Sequence, residues 1–248
     1  MRVAALYDIH SNLPALGAVL EDVRRADVDQ IVIGGDVLPG PMPRETFARL
    51  LDVDIPMQFI QGNGDRAVLE EMEGRNTGAL PEQARESVRW VARQLDAEHQ
   101  RLLASWPKTL RIDVPGLGEV LFCHATPRSD TEIFTRLTPD DRLLPLFEGV
   151  GVPLVICGHT HMQYDRTIGR TRVVNAGSVG MPFSEPGSYW LLLGTDVQPR
   201  YTHYDLTGAA DHIRRTAYPQ AEEFAAHSIL QPRSERDMLD AFAKVELK

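Results

Sequence analysis

The chain has 248 residues, 43% of them hydrophobic and 25% charged, and a formal net charge of −9. That composition is ordinary for a globular protein, and the acidic balance argues against an extended nucleic-acid or anionic-membrane surface. No apolar run approaches the roughly 18 residues of a membrane span, and the start of the chain turns polar too soon for a signal peptide. Only Cys123 and Cys157 occur, each in an apolar run. A cytoplasmic protein with two buried thiols is therefore expected.

Residues 2–7 read as a buried strand, followed by the loop Asp8-Ile9-His10-Ser11-Asn12. Leu13, Leu16, Val19, Leu20 and Val23 then have helical spacing. A second strand at 30–34, a helix at 44–53 and a third strand at 57–60 continue the alternation, which implies parallel strands joined by helices. The run Gln61-Gly62-Asn63-Gly64-Asp65-Arg66 reads as a turn. Residues 81–105 form a polar, amphipathic helical pair. Strands are predicted at 109–114, 119–123, 153–157, 171–174, 188–194 and 199–204. Residues 110–122 and 189–205 have the look of hairpins, and the tail 207–248 reads as helical. The whole is expected to be one α/β domain: a layered sandwich of two mixed β-sheets flanked by helices.

The chemistry collects at strand ends. The five apolar runs end in Asp8 and His10, in Asp36, in Asn63, in His124, and in His159 and His161. In open α/β sheets ligands bind just beyond the carboxyl ends of strands. Two carboxylates, an amide oxygen and four imidazoles suit Mn²⁺ first, with Fe, Zn²⁺ or Ni²⁺ also fitting, better than Ca²⁺. Ser11 and Asn12 have the simpler role of capping the helix after them, and Asp65 that of a loop or cap residue.

The ordered set Asp8-Ile9-His10, Gly35-Asp36, Gly62-Asn63-Gly64-Asp65, His124 and Gly158-His159-Thr160-His161 resembles the calcineurin-like metallophosphoesterases. Their small bacterial and archaeal phosphodiesterase-like members are the nearest in pattern. The run 175–182 is similar to the stretch that follows the last ligand motif of the family, and the resemblance spans about residues 2–205. It implies two divalent metals: Asp8, His10 and His161 on the first, Asn63, His124 and His159 on the second, and Asp36 bridging them. With a bridging hydroxide, two such ions leave a net charge of about +1 against the two carboxylates, which favours a phosphate ester and in-line attack. The implied activity is that of a phosphodiesterase acting on a small phosphoester or nucleotide. The alternatives are a dinucleoside polyphosphate hydrolase or protein phosphatase of the same family, or a non-catalytic protein-binding scaffold, which would be expected to lack ligands. An oligomer is compatible with everything above.

The sequence departs from the family at Gly64, where a His usually follows the Asn. Loss of that side chain implies weaker acid assistance, commonly a 10²–10⁴-fold effect, and a preference for good leaving groups. Gly64 at positive φ would make a His there strained. Arg128, and less so Arg66, are candidates to contact a phosphate oxygen in its place. Asn175 and Ser178 are candidates to support the site, or else simply to form a tight turn. The helical pair 81–105 is expected to shape access to the pocket.

Overall fold

The structure is a computed structural model describing residues 1–75 and 80–247. In chain order it runs β1 (Val3–Leu6), α1 (Leu13–Arg25), β2 (Gln30–Ile33), α2 (Pro43–Leu51), β3 (Met57–Phe59) and α3 (Asn63–Met72). Next come α4 (Glu82–Gln94), α5 (Ala97–Ser105), β4 (Thr109–Val114), β5 (Gly118–Cys123), α6 (Asp140–Phe147) and β6 (Leu154–Cys157). The hairpins β7 (Gln163–Ile168)–β8 (Thr171–Ala176) and β9 (Ser188–Leu193)–β10 (Val197–Thr202) follow. The tail folds as α7 (Leu206–Arg214), α8 (Ala221–Phe224), a π-helix (Ala225–Leu230) and α9 (Glu235–Phe242); Lys248, the end of the predicted helical tail, lies outside the described residues.

The strands form two five-stranded mixed sheets, ordered β10-β9-β1-β2-β3 and β4-β5-β6-β8-β7. In the first, β1, β2 and β3 are parallel and β9 joins β1 antiparallel. In the second, β5, β6 and β8 are parallel and β4 and β7 close the edges antiparallel. Alternation along each strand builds the layers. Val3, Ala5 and Tyr7 of the first sheet meet Phe122, Ile156 and Val174 of the second in the core between them. Ala4, Leu6, Ile31 and Ile33 face outward onto the helical layer, among them Leu16, Val19 and Leu20 of α1. On the far side Val155 and Cys157 pack under Leu143 and Phe147 of α6. Both cysteines are buried and free, and burial raises their thiol pKa values, so they act as small apolar residues. Among the described residues no helix is long and apolar enough to cross a membrane.

Three elements differ from the sequence reading. The presumed turn at 61–66 opens α3 at Asn63, because Asp65 reaches back to cap the helix start: its carboxylate accepts from Gly62 N and Leu38 N, each at 3.0 Å. Helix α6 forms although Pro145 interrupts its pattern. Strand β7, with exposed polar positions, forms because β8 pairs with it along six residues.

Candidate metal centre

The carboxyl ends of β1, β2, β3, β5 and β6 open on one edge shared by the two sheets, and the loops there are fastened to each other. Asp8 N donates to Gly35 O (3.1 Å), His10 N to Asp36 O (2.9 Å) and Ser11 N to Val37 O (2.8 Å), which prolongs the parallel pairing of β1 and β2 past their ends. Gly158 N donates to His124 O at 2.8 Å, doing the same for β5 and β6. Asp8, His10, Asp36, His159 and His161 all have left-handed backbone, with φ of 53°, 47°, 50°, 66° and 57°. Such backbone costs on the order of 1 kcal/mol or more per residue and clusters at functional sites. Here it turns the chain sharply after β1, β2 and β6, so residues two apart face different partners.

His10 Nδ1 lies 3.2 Å from Pro39 O, His124 Nδ1 3.0 Å from Gly34 O and His161 Nδ1 2.7 Å from Met181 O. Each carbonyl can only accept, so each imidazole carries its proton on Nδ1 and directs the Nε2 lone pair inward. His10 Nε2 and His161 Nε2 then face each other at 3.2 Å. Asp8 Oδ1 is 3.4 Å from His161 Nε2 and, although buried, has no hydrogen-bond partner. Asp8 Oδ2 accepts from His159 N at 2.9 Å. Asp36 Oδ1 accepts from Gly64 N at 2.7 Å and lies 3.5 Å from His124 Nε2, while its Oδ2 is 3.8 Å from His10 Nε2. The Asn63 side-chain oxygen is 3.1 Å from His124 Nε2. That end of the amide also faces His159 Nδ1 at 2.9 Å, so it sits among acceptors. Either the amide nitrogen donates there or a cation separates them.

Opposed lone pairs and an orphaned buried carboxylate oxygen are the marks of a site for cations, so the residues present fit divalent metals. Asp8, His10 and His161 form one group of potential ligands and Asp8, Asp36 and His124 a second. The first coincides with the expected set. In the second, Asp8 as well as Asp36 reaches toward His124, with Asp8 Oδ1 at 3.9 Å from its Nε2. His159 and His161, two apart in sequence, splay: His159 packs edge-on against His124 with ring centroids 5.1 Å apart, and His161 pairs with His10 at 5.0 Å.

The electrostatics follow from burial. Burial alone would lower His124 and His161, but Asp36 and Asp8 beside the first, and Asp8 beside the second, raise both. Burial lowers His10, helped by His161, and takes His159 to about 4, helped by His124. Burial would raise Asp8, and His161, His124 and His10 outweigh it to leave the carboxyl low. Because only neutral imidazoles ligate and His124 and His161 are raised above the ordinary histidine value of about 6.5, metal uptake should release protons and weaken with falling pH already from above that value. Calorimetric titration of Mn²⁺ in buffers of different ionisation enthalpy measures this, and an affinity independent of pH would contradict it.

Asn12 caps α1, its Oδ1 accepting from Ala15 N at 3.2 Å, and Ser11 Oγ donates to Val37 O at 3.1 Å. Ser178 Oγ donates to Asp8 O at 2.8 Å, and Asn175 Nδ2 to Gly158 O at 2.7 Å, so the 175–182 run clamps two ligand loops as well as turning. Arg128 stands at the rim of the site. Its exposed guanidinium pairs with Glu132, four residues on, with Nε 2.9 Å from Oε1, and the residue lines a hollow together with His124. Arg66 is likewise taken up, its Nε 2.6 Å from Asp130 Oδ2.

Gly64 answers differently from the expectation. It is the second residue of α3, without left-handed backbone. A Cβ on it would lie 2.3 Å from Leu38 O, 2.9 Å from Pro39 Cδ and 3.1 Å from Asp36 Oδ1. The space a side chain would need is filled by the 38–39 loop. Gly62 is equally constrained, its Cβ position lying 2.2 Å from Asp36 Oδ1. These glycines let the start of α3 bring the Gly64 N–H against the Asp36 carboxylate.

Comparison with known proteins gives the same picture. The model of the calcineurin-like phosphoesterase superfamily domain matches residues 1–196. An uncharacterized protein of Methanocaldococcus jannaschii is 28% identical over 204 residues, 80% of this chain and 77% of that protein. A metallophosphoesterase from Sphaerobacter thermophilus is similar in structure, with a TM-score of 0.69 at 27% identity over 91% of this chain and 97% of that one. A hypothetical protein from Pyrococcus horikoshii shares the fold, with a TM-score of 0.77 at 20% identity over 94% of this chain and 99% of that one.

Proposed function

The chain belongs to the calcineurin-like phosphoesterase superfamily, and from that premise we propose that it is a hydrolase of phosphodiesters that works with two divalent metal ions. The observation that carries the reading is the pair of Nε2 atoms of His10 and His161 at 3.2 Å with the unpartnered Asp8 Oδ1 beside them. In the proposed assignment Asp8, His10 and His161 hold one ion, Asn63, His124 and His159 the other, and the Asp36 carboxylate serves both. When bound, such ions neutralise charge on phosphoryl oxygens and make a water acidic enough to attack. The protein's own part is positional. The carbonyls of Gly34, Pro39 and Met181 fix the imidazole tautomers, and Gly64 N–H orients the Asp36 carboxylate. With no side chain at Gly64, the leaving oxygen gains no proton donor from that position, which favours esters with good leaving groups.

The test is turnover of bis(p-nitrophenyl) phosphate before and after chelation. Activity should vanish with the metal and return with Mn²⁺. Thermal melting gives an independent readout. Mn²⁺ at about 100 times its Kd contributes roughly 2.7 kcal/mol, which raises Tm by about 5–10 °C in a chain of this size. Full turnover in protein shown to be metal-free would refute the proposal.

A further inference from the structure

A cleft of 430 Å³ opens from the ligand cluster at His10 and runs out between α4 and the C-terminal segment. Most of its lining surface is apolar, with Gln220, Glu223, His227 and Arg233 at its polar end, which is how pockets for the organic parts of small molecules are built, and its volume is in their range of about 300–1,000 Å³. One wall continues the metal centre directly. Phe183 stacks on His161 with ring centroids 4.9 Å apart and planes within 16°, and Met181, whose carbonyl orients His161, sits beside it. Pro39, whose carbonyl orients His10, adds a flat face.

The opposite wall comes from residues beyond the 1–196 family match. Tyr218 and Phe224 lie edge to face, with centroids 6.2 Å apart. Tyr218 packs edge-on against Trp90 with centroids 5.4 Å apart, and its hydroxyl donates at 3.1 Å to Oγ of Ser87, which also lines the cleft, so its ring is fixed before any ligand arrives. Ser228 reaches the cleft from the π-helix Ala225–Leu230, a form that is rare and frequently found at functional sites. The hollow on the His124 side is unlike this one. It measures 210 Å³ and is lined by Lys108, Thr126, Arg128 and Asp130, with no Phe, Tyr or Trp among the described residues.

We infer that the His10-side cleft is the specificity subsite for the organic group of the phosphoester, and that it takes a flat, apolar ring system. Rings pack on the faces of Phe and Tyr with a gain beyond simple area burial, and two aromatic walls fixed by their own contacts lose little entropy when a ring enters between them. The inference rests on the phosphoesterase reading for the phosphoryl end alone; the choice of ring belongs to the cleft.

The probes are methyl-, phenyl- and naphthylphosphonate, which carry one substituent each and are not hydrolysed. Their binding to the Mn²⁺-loaded protein is measured by calorimetry. Affinity should rise along the series, by about tenfold or more from methyl to naphthyl, the order of discrimination an apolar pocket gives. Ala84→Trp, on the cleft face of α4, should fill the space and bring that ratio below about threefold. Gln83→Trp, from an exposed neighbouring position, provides a second obstruction if the first variant folds poorly. A flat series in the wild-type protein, or a series unchanged in both variants, overturns the inference. A graded series in a protein that hydrolyses no ester would leave the cleft standing and remove the phosphoesterase reading instead. No binding of any of the three phosphonates would overturn both.

Discussion

Asp36→Asn is expected to lose at least 10²-fold in phosphoester turnover and most of its bound metal, while the metal-free protein folds as before. Asp36 is 4% exposed and offers one oxygen toward His124 and the other toward His10. An amide keeps the shape and can still accept the Gly64 N–H with its oxygen. Its nitrogen would then point toward the His10 lone pair, which suits an empty site and opposes a cation. The negative charge is lost where it is least screened, in a buried cluster. Altering partners one layer further out in metal sites already costs 10–100-fold in affinity or activity, so this direct substitution should exceed that. The variant's melting temperature without metal should match wild type, and its rise with Mn²⁺ should disappear. Wild-type turnover together with wild-type metal content would remove Asp36 from the assignment.

Gly64→Ala is expected to lower Tm by about 2–12 °C, and Gly64→His to bring no gain on esters with poor leaving groups. A methyl at 2.3 Å from Leu38 O must push the 38–39 loop away or tilt the start of α3. Overpacking of this kind costs typically 1–3 kcal/mol, and each kcal/mol shifts Tm by about 2–4 °C at this chain length. Both escapes also strain the 2.7 Å bond from Gly64 N to Asp36 Oδ1, so turnover should fall along with stability. From sequence alone, an imidazole at this position promised to restore acid assistance. The structure leaves no room for it. A Gly64→His variant with wild-type Tm and a flattened dependence on leaving-group pKa, measured as kcat/KM over substituted phenyl and alkyl diesters, would show that the loop yields.

What the sequence determined by itself is the frame and the candidate ligand residues. Short apolar runs ending in Asp, His or Asn are local features: a strand buried on both faces needs continuous Val, Ile and Leu, and a chain leaving such a strand must change composition at once. Hence Asp8, Asp36, Asn63, His124 and His161 could be read off one after another, and Asn12 as the cap of α1 with them. What only the tertiary structure decided is everything that depends on which partner the fold brings against a residue or strand. Helix α3 begins at Asn63 because Asp65 finds Leu38 N, 27 residues away, as well as its own Gly62. Strand β7 exists because β8 pairs with it. Gly64 looked like a missing acid; its meaning lies in a carbonyl from another loop that packs where a Cβ would be. The aromatic cleft likewise joins Phe183 to Tyr218 and Phe224, whose separation in sequence hides that they face one cavity. Strand ends and caps are written locally, whereas pockets, ion pairs and forbidden side chains are set by what the fold brings against them.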